Sequence, residues 1–133
     1  MAVGPHVDKA GVPRLVVVVD DDEGIREVCV DALLEAGYRV DAFARGEPAL
    51  VALARGEAAV LVVDWKMPGL DGVEVARRAR AADPRLGVVM VTADGYQAAA
   101  AAGPAGVDRI LVKPFLMDEL VAAVAALAGS PTS

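Results

Sequence analysis

The stretch Val60-Leu61-Val62-Val63-Asp64-Trp65-Lys66-Met67-Pro68-Gly69-Leu70-Asp71-Gly72 decides how the rest of the chain is read. Its apolar run, Val60 to Val63, has the length and β-branching of a buried strand, and it stops at a carboxylate followed by turn residues. Asp64 is therefore expected at a strand's carboxyl end. In open α/β sheets ligands bind at that edge, but an Asp closing a strand is also ordinary turn chemistry. Only what the rest of the chain brings to the same edge separates the two readings.

The pattern recurs on both sides. Leu15 to Val19 is an apolar run ending in Asp20, Asp21 and Asp22. Ile25, Val28, Cys29, Ala32, Leu33 and Ala36 then form one face of a helix closed by Gly37. Tyr38 to Phe43 alternates Val40 and Ala42 with Arg39 and Asp41, which suits an edge strand, and Gly46-Glu47-Pro48 opens a short helix ending near Arg55-Gly56. After the opening stretch, Asp71 can cap a helix from about Gly72 to Ala81, with Val75, Ala76 and Ala79 inward and Arg77, Arg78 and Arg80 as a solvated basic patch. Leu86 to Val91 reads as a fourth strand, ending at Thr92-Ala93-Asp94-Gly95. Tyr96 to Ala102 reads as a short helix stopped by Gly103-Pro104. Arg109 to Val112 is a fifth strand, ending in Lys113-Pro114-Phe115, and Met117 to Ala128 a last helix. Five strands alternating with five helices make an α/β fold with a parallel sheet covered on both faces.

Composition limits the chemistry. A chain of 133 residues suits one domain, expected over 14–128, with loose tails at 1–13 and 129–133. No apolar run approaches the roughly 20 residues that span a bilayer, and nothing at the start marks export, so a cytoplasmic protein without membrane contact is expected. A net charge of -6 argues against direct nucleic-acid binding. The lone cysteine, Cys29, is expected as a buried structural thiol, and the lone histidine, His6, as a disordered surface residue, which disfavours a Ser-His or Cys-His pair.

Because parallel strands align their carboxyl ends, Asp20, Asp21, Asp64, Thr92 and Lys113 should converge. Carboxylates held together repel, and a divalent metal resolves this. Oxygen ligands point to magnesium or a similarly hard ion, with no acidic loop of the calcium-binding type present. A hydroxyl and an ammonium around metal-bound carboxylates suit a phosphoryl group, whose charge spreads over its outer oxygens. No glycine-rich phosphate loop is present, so the group would arrive on another molecule and be accepted by a carboxylate.

Taken together, Asp20-Asp21 after a strand, Asp64 followed by Met67-Pro68-Gly69-Leu70-Asp71-Gly72, Thr92-Ala93 and Lys113-Pro114-Phe115 resemble the receiver domain of two-component response regulators, over roughly Arg14 to Ala128. The resemblance implies a flavodoxin-like, doubly wound sheet of strand order 2-1-3-4-5, in a single-domain regulator of the chemotaxis type. It implies that Asp64 is the phosphoacceptor, taking a phosphoryl group from a phosphohistidine on a sensor histidine kinase or a histidine phosphotransfer protein. Asp20, Asp21, Asp64 and the main-chain carbonyl of Lys66 would hold Mg2+, and Thr92 and Lys113 would grip the phosphoryl oxygens. The Lys113–Pro114 bond would be cis, with Pro68 and Gly69 shaping the loop. The protein would be a signalling module rather than an enzyme, apart from self-catalysed phosphotransfer and slow autodephosphorylation. The rival readings are a Mg2+-dependent phosphatase with an aspartyl-phosphate intermediate, whose second Asp would stand where Lys66 does, and an inactive scaffold.

The sequence departs from the family at several points. Asp22 is a bystander by resemblance, a register shifted to Asp21 and Asp22 being the alternative. Ile110 stands where the family commonly has a switching aromatic, so the signal is expected to travel through the loop after Thr92 and the alanine-rich helix instead. Lys66 and Asp94 could pair across the pocket. The alanine-rich fourth and fifth helices offer a face for a downstream protein or for a homodimer.

Overall fold

Residues 11–128 are described by the structure, a computed structural model. The elements follow in the order β1 (Leu15–Val19), α1 (Glu23–Glu35), β2 (Arg39–Phe43), α2 (Gly46–Leu53), β3 (Ala58–Asp64), α3 (Gly72–Ala82), β4 (Gly87–Thr92), α4 (Gly95–Ala105), β5 (Arg109–Val112) and α5 (Met117–Ala128). The sheet has the order β2-β1-β3-β4-β5, and every neighbouring pair is parallel. The alternation of runs predicts a parallel sheet covered on both faces, and the strand order is the doubly wound, flavodoxin-like one that the family resemblance implies. His6 and the tails at 1–10 and 129–133 lie outside the described residues.

Successive side chains of a strand point to opposite faces, so uninterrupted valine runs supply both cores. Val17, Val19, Leu61, Val63, Val88 and Met90 face one way and pack with Ala49, Leu53, Val75, Ala76, Ala79 and Ala98 of α2, α3 and α4. Val16, Val18, Val60, Val62, Val89 and Val91 face the other way and meet Cys29 and Leu33 of α1 and Leu120, Ala123 and Val124 of α5. Cys29 is thus buried as expected, and burial pushes its thiol up to about 11.

Four details differ from the pattern-based reading. β3 begins at Ala58, ahead of the apolar run, while Asp64 is its last residue, at the carboxyl end as expected. Val28 is 51% exposed, because it lies beside the Ile25–Cys29–Leu33 line and nothing covers it there. α4 does not stop at Gly103-Pro104 but continues to Ala105. Proline there falls in the final turn, where its missing N–H removes a single helix bond. Gly106, at φ 82°, then closes the helix with N–H bonds from Gly106 to the Gly103 carbonyl and from Val107 to the Ala102 carbonyl.

Arg80 is the fourth difference, because it is not part of a solvated patch. Its Nη1 donates to the carbonyls of Leu86 (3.0 Å) and Gly106 (3.1 Å) and to Asp108 Oδ2 (3.0 Å), and Asp108 also accepts the Val88 N–H at 2.9 Å. One guanidinium therefore fastens α3, the start of β4, the end of α4 and the approach to β5. Arg77 and Arg78 stay exposed and pair with Glu74 on their own helix. Arg80→Met is expected to lower unfolding stability by about 1–3 kcal/mol, since it strands the two part-buried carbonyls of Leu86 and Gly106. Chemical denaturation checks this. Arg77→Met should leave the denaturation midpoint nearly unmoved.

Candidate functional site

The carboxyl edge of the sheet collects the expected residues. Asp20 follows β1, Asp64 ends β3, Thr92 ends β4 and Lys113 follows β5. The ladder fixes their relative heights. Asp64 pairs with Val91 and Thr92 with Val112, the Trp65 N–H donates to the Val91 carbonyl at 3.0 Å, and the Lys113 N–H to the Thr92 carbonyl at 2.7 Å. Asp20, Asp64 and Thr92 are all buried, at 4%, 7% and 2% exposure, whereas Asp21 is exposed.

The acidic groups converge. Asp20, Asp21 and Asp64 each offer a carboxylate oxygen, and these oxygens lie within 4.8 Å of one another. Asp22 does not join them. Its side chain accepts the Ile25 N–H at 3.0 Å as the cap of α1, while its own N–H donates to Asp20 Oδ1 at 2.9 Å. Lys113 reaches in from the far side, with Nζ 3.2 Å from Asp64 Oδ1 and 3.8 Å from Asp20 Oδ2. The Lys113–Pro114 peptide bond is cis.

The electrostatics follow from this crowding. Burial, and next the Asp20 charge, push the Asp64 carboxyl up to about 6, and Lys113 only partly pulls it back. Asp20 is raised as well, chiefly by burial, against the pull of the Asp22 N–H and of Lys113. When all three carboxylates are ionised, one ammonium leaves the cluster two negative charges in excess. Oxygen donors in this number, with that excess charge, fit a hard divalent cation.

The loop after Asp64 is shaped by close approach. A Cβ on Gly72 would lie 2.3 Å from the Asp64 carbonyl oxygen and 2.9 Å from the Trp65 Cα, and the Gly72 N–H donates to the Trp65 carbonyl at 2.8 Å. Only glycine lets α3 start this close to the acidic residue, with Asp71 capping it by accepting the Glu74 N–H at 3.0 Å. Gly69 takes the φ of 76° that the turn needs.

Lys66 and Asp94, which could have paired across the pocket, do not. The Lys66 ammonium sits over the Trp65 ring, 4.0 Å from its centroid, where the ring face attracts a cation. Asp94 is used elsewhere. Its side chain caps α4 by accepting the Gln97 N–H at 3.1 Å, and its own N–H donates to Thr92 Oγ1 at 3.0 Å. Ile110 is half-buried against the α2–α4 core. One contact had no signal in the sequence: Arg26 Nη1 donates to the main-chain carbonyl of Asp20 at 2.8 Å.

Comparison with known proteins agrees with this geometry. The chain is 39% identical over 113 residues to the response regulator MprA of Mycobacterium leprae, covering 84% of this chain and 50% of that protein. It is 36% identical over 115 residues to the phosphate regulon transcriptional regulatory protein PhoB of Rhizobium meliloti, covering 84% and 51%. The chain thus spans about half the length of the curated relatives it matches. Among solved structures it superposes on the chemotaxis protein CheY4 of Vibrio cholerae with a TM-score of 0.80 at 26% identity, over 86% of this chain and 98% of that one. It likewise superposes on the Thermotoga maritima response regulator TrrA in complex with Mg(2+)-BeF, with a TM-score of 0.78 at 33% identity, over 86% and 98%. The family model described as the response regulator receiver domain matches residues 16–125, so the chain belongs to the receiver domain family of two-component response regulators.

Proposed function

We propose that this chain is the phosphoacceptor module of a cytoplasmic two-component phosphorelay, with Asp64 as the residue that takes the phosphoryl group. The observation that carries this reading is the buried Asp64 carboxylate at the sheet edge, with the Lys113 ammonium 3.2 Å away and two further carboxylates beside it. The donor is a phosphohistidine on a sensor histidine kinase or a histidine phosphotransfer protein. An Asp64 oxygen attacks phosphorus, the nitrogen–phosphorus bond breaks, and its electron pair leaves with the imidazole.

The chain's own groups prepare that step. Asp20, Asp21, Asp64 and the main-chain carbonyl of Lys66 are the oxygens that would hold Mg2+. Such an ion would supply charge neutralisation for the carboxylates and the incoming phosphoryl oxygens. Lys113 supplies a fixed positive charge to an oxygen that develops negative charge, and Thr92, whose oxygen already accepts the Asp94 N–H, has its hydroxyl proton free to donate. The same hydrogen bond offers a route for the signal. If Thr92 turns toward the phosphoryl group, the residue capping α4 loses a partner, and this route does not require an aromatic at position 110. Exposed Tyr96 and Val112 flank this region, where a downstream protein or a second copy of the chain would bind.

Turnover of a separate substrate is not part of this reading, because Lys66 stands where a phosphatase of the aspartyl-phosphate type would carry its second acid. Among the described residues, no helix is long and apolar enough to cross a membrane.

Incubation with Mg2+ and a small-molecule phosphodonor is expected to give stable stoichiometric labelling. Asp64→Asn should abolish it, and Lys113→Met should slow it by on the order of 100-fold. Continuous release of phosphate would favour the phosphatase instead, and no labelling the scaffold.

The raised Asp64 carboxyl makes a separate prediction. Its unfolded-state value is near the ordinary 3.8 and its folded value about 6, so between these the folded chain binds more protons than the unfolded one. Metal-free stability should therefore fall as pH rises through about 6, and Asp64→Asn should weaken that dependence, the remainder coming from the likewise raised Asp20 carboxyl. Because the proton competes with the metal, Mg2+ affinity should be about 10-fold weaker at pH 5 than at pH 7.5, measured by titration of the Trp65 fluorescence.

A further inference from the structure

Asp20 and Asp21 are consecutive, yet their carboxylates must reach one point beside Asp64. Side-chain rotamers alone do not secure that, because the direction of each Cα–Cβ bond depends on the two peptide planes that flank it. The plane before Asp20 is fixed by its N–H, which donates to the Phe43 carbonyl on β2 at 3.1 Å. The plane between Asp20 and Asp21 is fixed through the Asp20 carbonyl, and there the donor is Arg26 Nη1 at 2.8 Å. Arg26 itself is anchored in the first turn of α1, where its N–H donates to the Asp22 carbonyl at 2.9 Å. The half-buried side chain thus reaches back from the helix over the loop that the helix follows.

We propose that Arg26 is a positioning residue for the acidic cluster: by holding the Asp20 carbonyl it sets the peptide plane that aims Asp20 and Asp21 at the site beside Asp64. This inference rests on the receiver reading of the site. The role is geometric rather than one of charge neutralisation. The largest charge effects on the Asp20 and Asp64 carboxyls come from Lys113 and the neighbouring aspartates. Its hydrogen bond is spent on a backbone oxygen and not on a carboxylate. Without that donor, the peptide plane is free to rotate, and Asp21, exposed and without such a tether of its own, would swing away from the cluster.

Arg26→Met keeps the stem and removes the donor, whereas Arg26→Lys keeps a cationic donor at similar reach. Arg26→Met is expected to weaken Mg2+ binding by about 10-fold, in the range seen when groups that orient metal ligands are lost. In the metal-free protein it should also speed hydrogen exchange at the Asp22 amide, whose bond to Asp20 Oδ1 depends on the same loop geometry. Arg26→Lys should bind Mg2+ more tightly than Arg26→Met. At saturating Mg2+ the labelling rate of Arg26→Met should return to within about 3-fold of wild type, since no group that touches the phosphoryl has been removed. Wild-type Mg2+ affinity in Arg26→Met overturns the proposal, as does a labelling defect that saturating Mg2+ does not restore, or an Arg26→Lys protein no better than Arg26→Met. If the wild-type chain itself bound no Mg2+, the receiver reading would fall together with the proposal. If it binds and Arg26→Met matches it, only the positioning role falls.

Discussion

Mutual repulsion among Asp20, Asp21 and Asp64 is the constraint around which this structure is arranged. Three carboxylate oxygens lie within 4.8 Å of one another, two of the residues are buried, and among the described residues a single ammonium, that of Lys113, faces them. Left to itself, such a cluster relaxes by turning side chains outward or by taking up protons, and the raised carboxyl of Asp64 is the second of these responses. The stored unfavourable charge is what gives the site an appetite for a divalent cation and, through it, for an anionic phosphoryl group. The rest of the chain has to prevent the first response.

It does so by making the edge rigid. Valine runs buried on both faces hold β1, β3 and β4 in a fixed parallel register, so that the residues ending each strand cannot slide apart. Gly72 lets α3 begin against the Asp64 carbonyl, Asp22 is drawn into the cap of α1, and Arg80 fastens the far end of α4 to the opposite edge of the sheet. The α4 side is held by smaller side chains. α4 meets the core largely through the methyl groups of Ala98, Ala102 and Ala105, and its capping residue is bonded to Thr92, a member of the site itself.

Much of this was legible in the sequence because β1, β3 and β4, buried on both faces, announce themselves as apolar runs, and every strand except the alternating β2 leads into a residue of recognisable chemistry. The five strands, their helices and the convergence of Asp20, Asp21, Asp64, Thr92 and Lys113 follow from that pattern. What escaped it were interactions whose other half is backbone. Arg80 looked like a solvated residue because the carbonyls of Leu86 and Gly106 leave no trace in residue identities, and Arg26 was silent for the same reason. Pro104 was read as a stop although it falls in the last turn of α4. Lys66 and Asp94 were matched by opposite charge and by their places just beyond Asp64 and Thr92, whereas an aromatic face and a helix cap hold them.

The claim on which the whole account rests is that the phosphoryl group lands on Asp64, and reductive trapping tests it most directly. The chain is incubated with Mg2+ and a phosphodonor, the acyl phosphate is reduced with borohydride to homoserine, and the converted residue is located by peptide mass spectrometry. The account predicts homoserine at position 64 alone, dependent on both Mg2+ and donor. Conversion at Asp20 or Asp21, or none under conditions where Mg2+ binds, would contradict it.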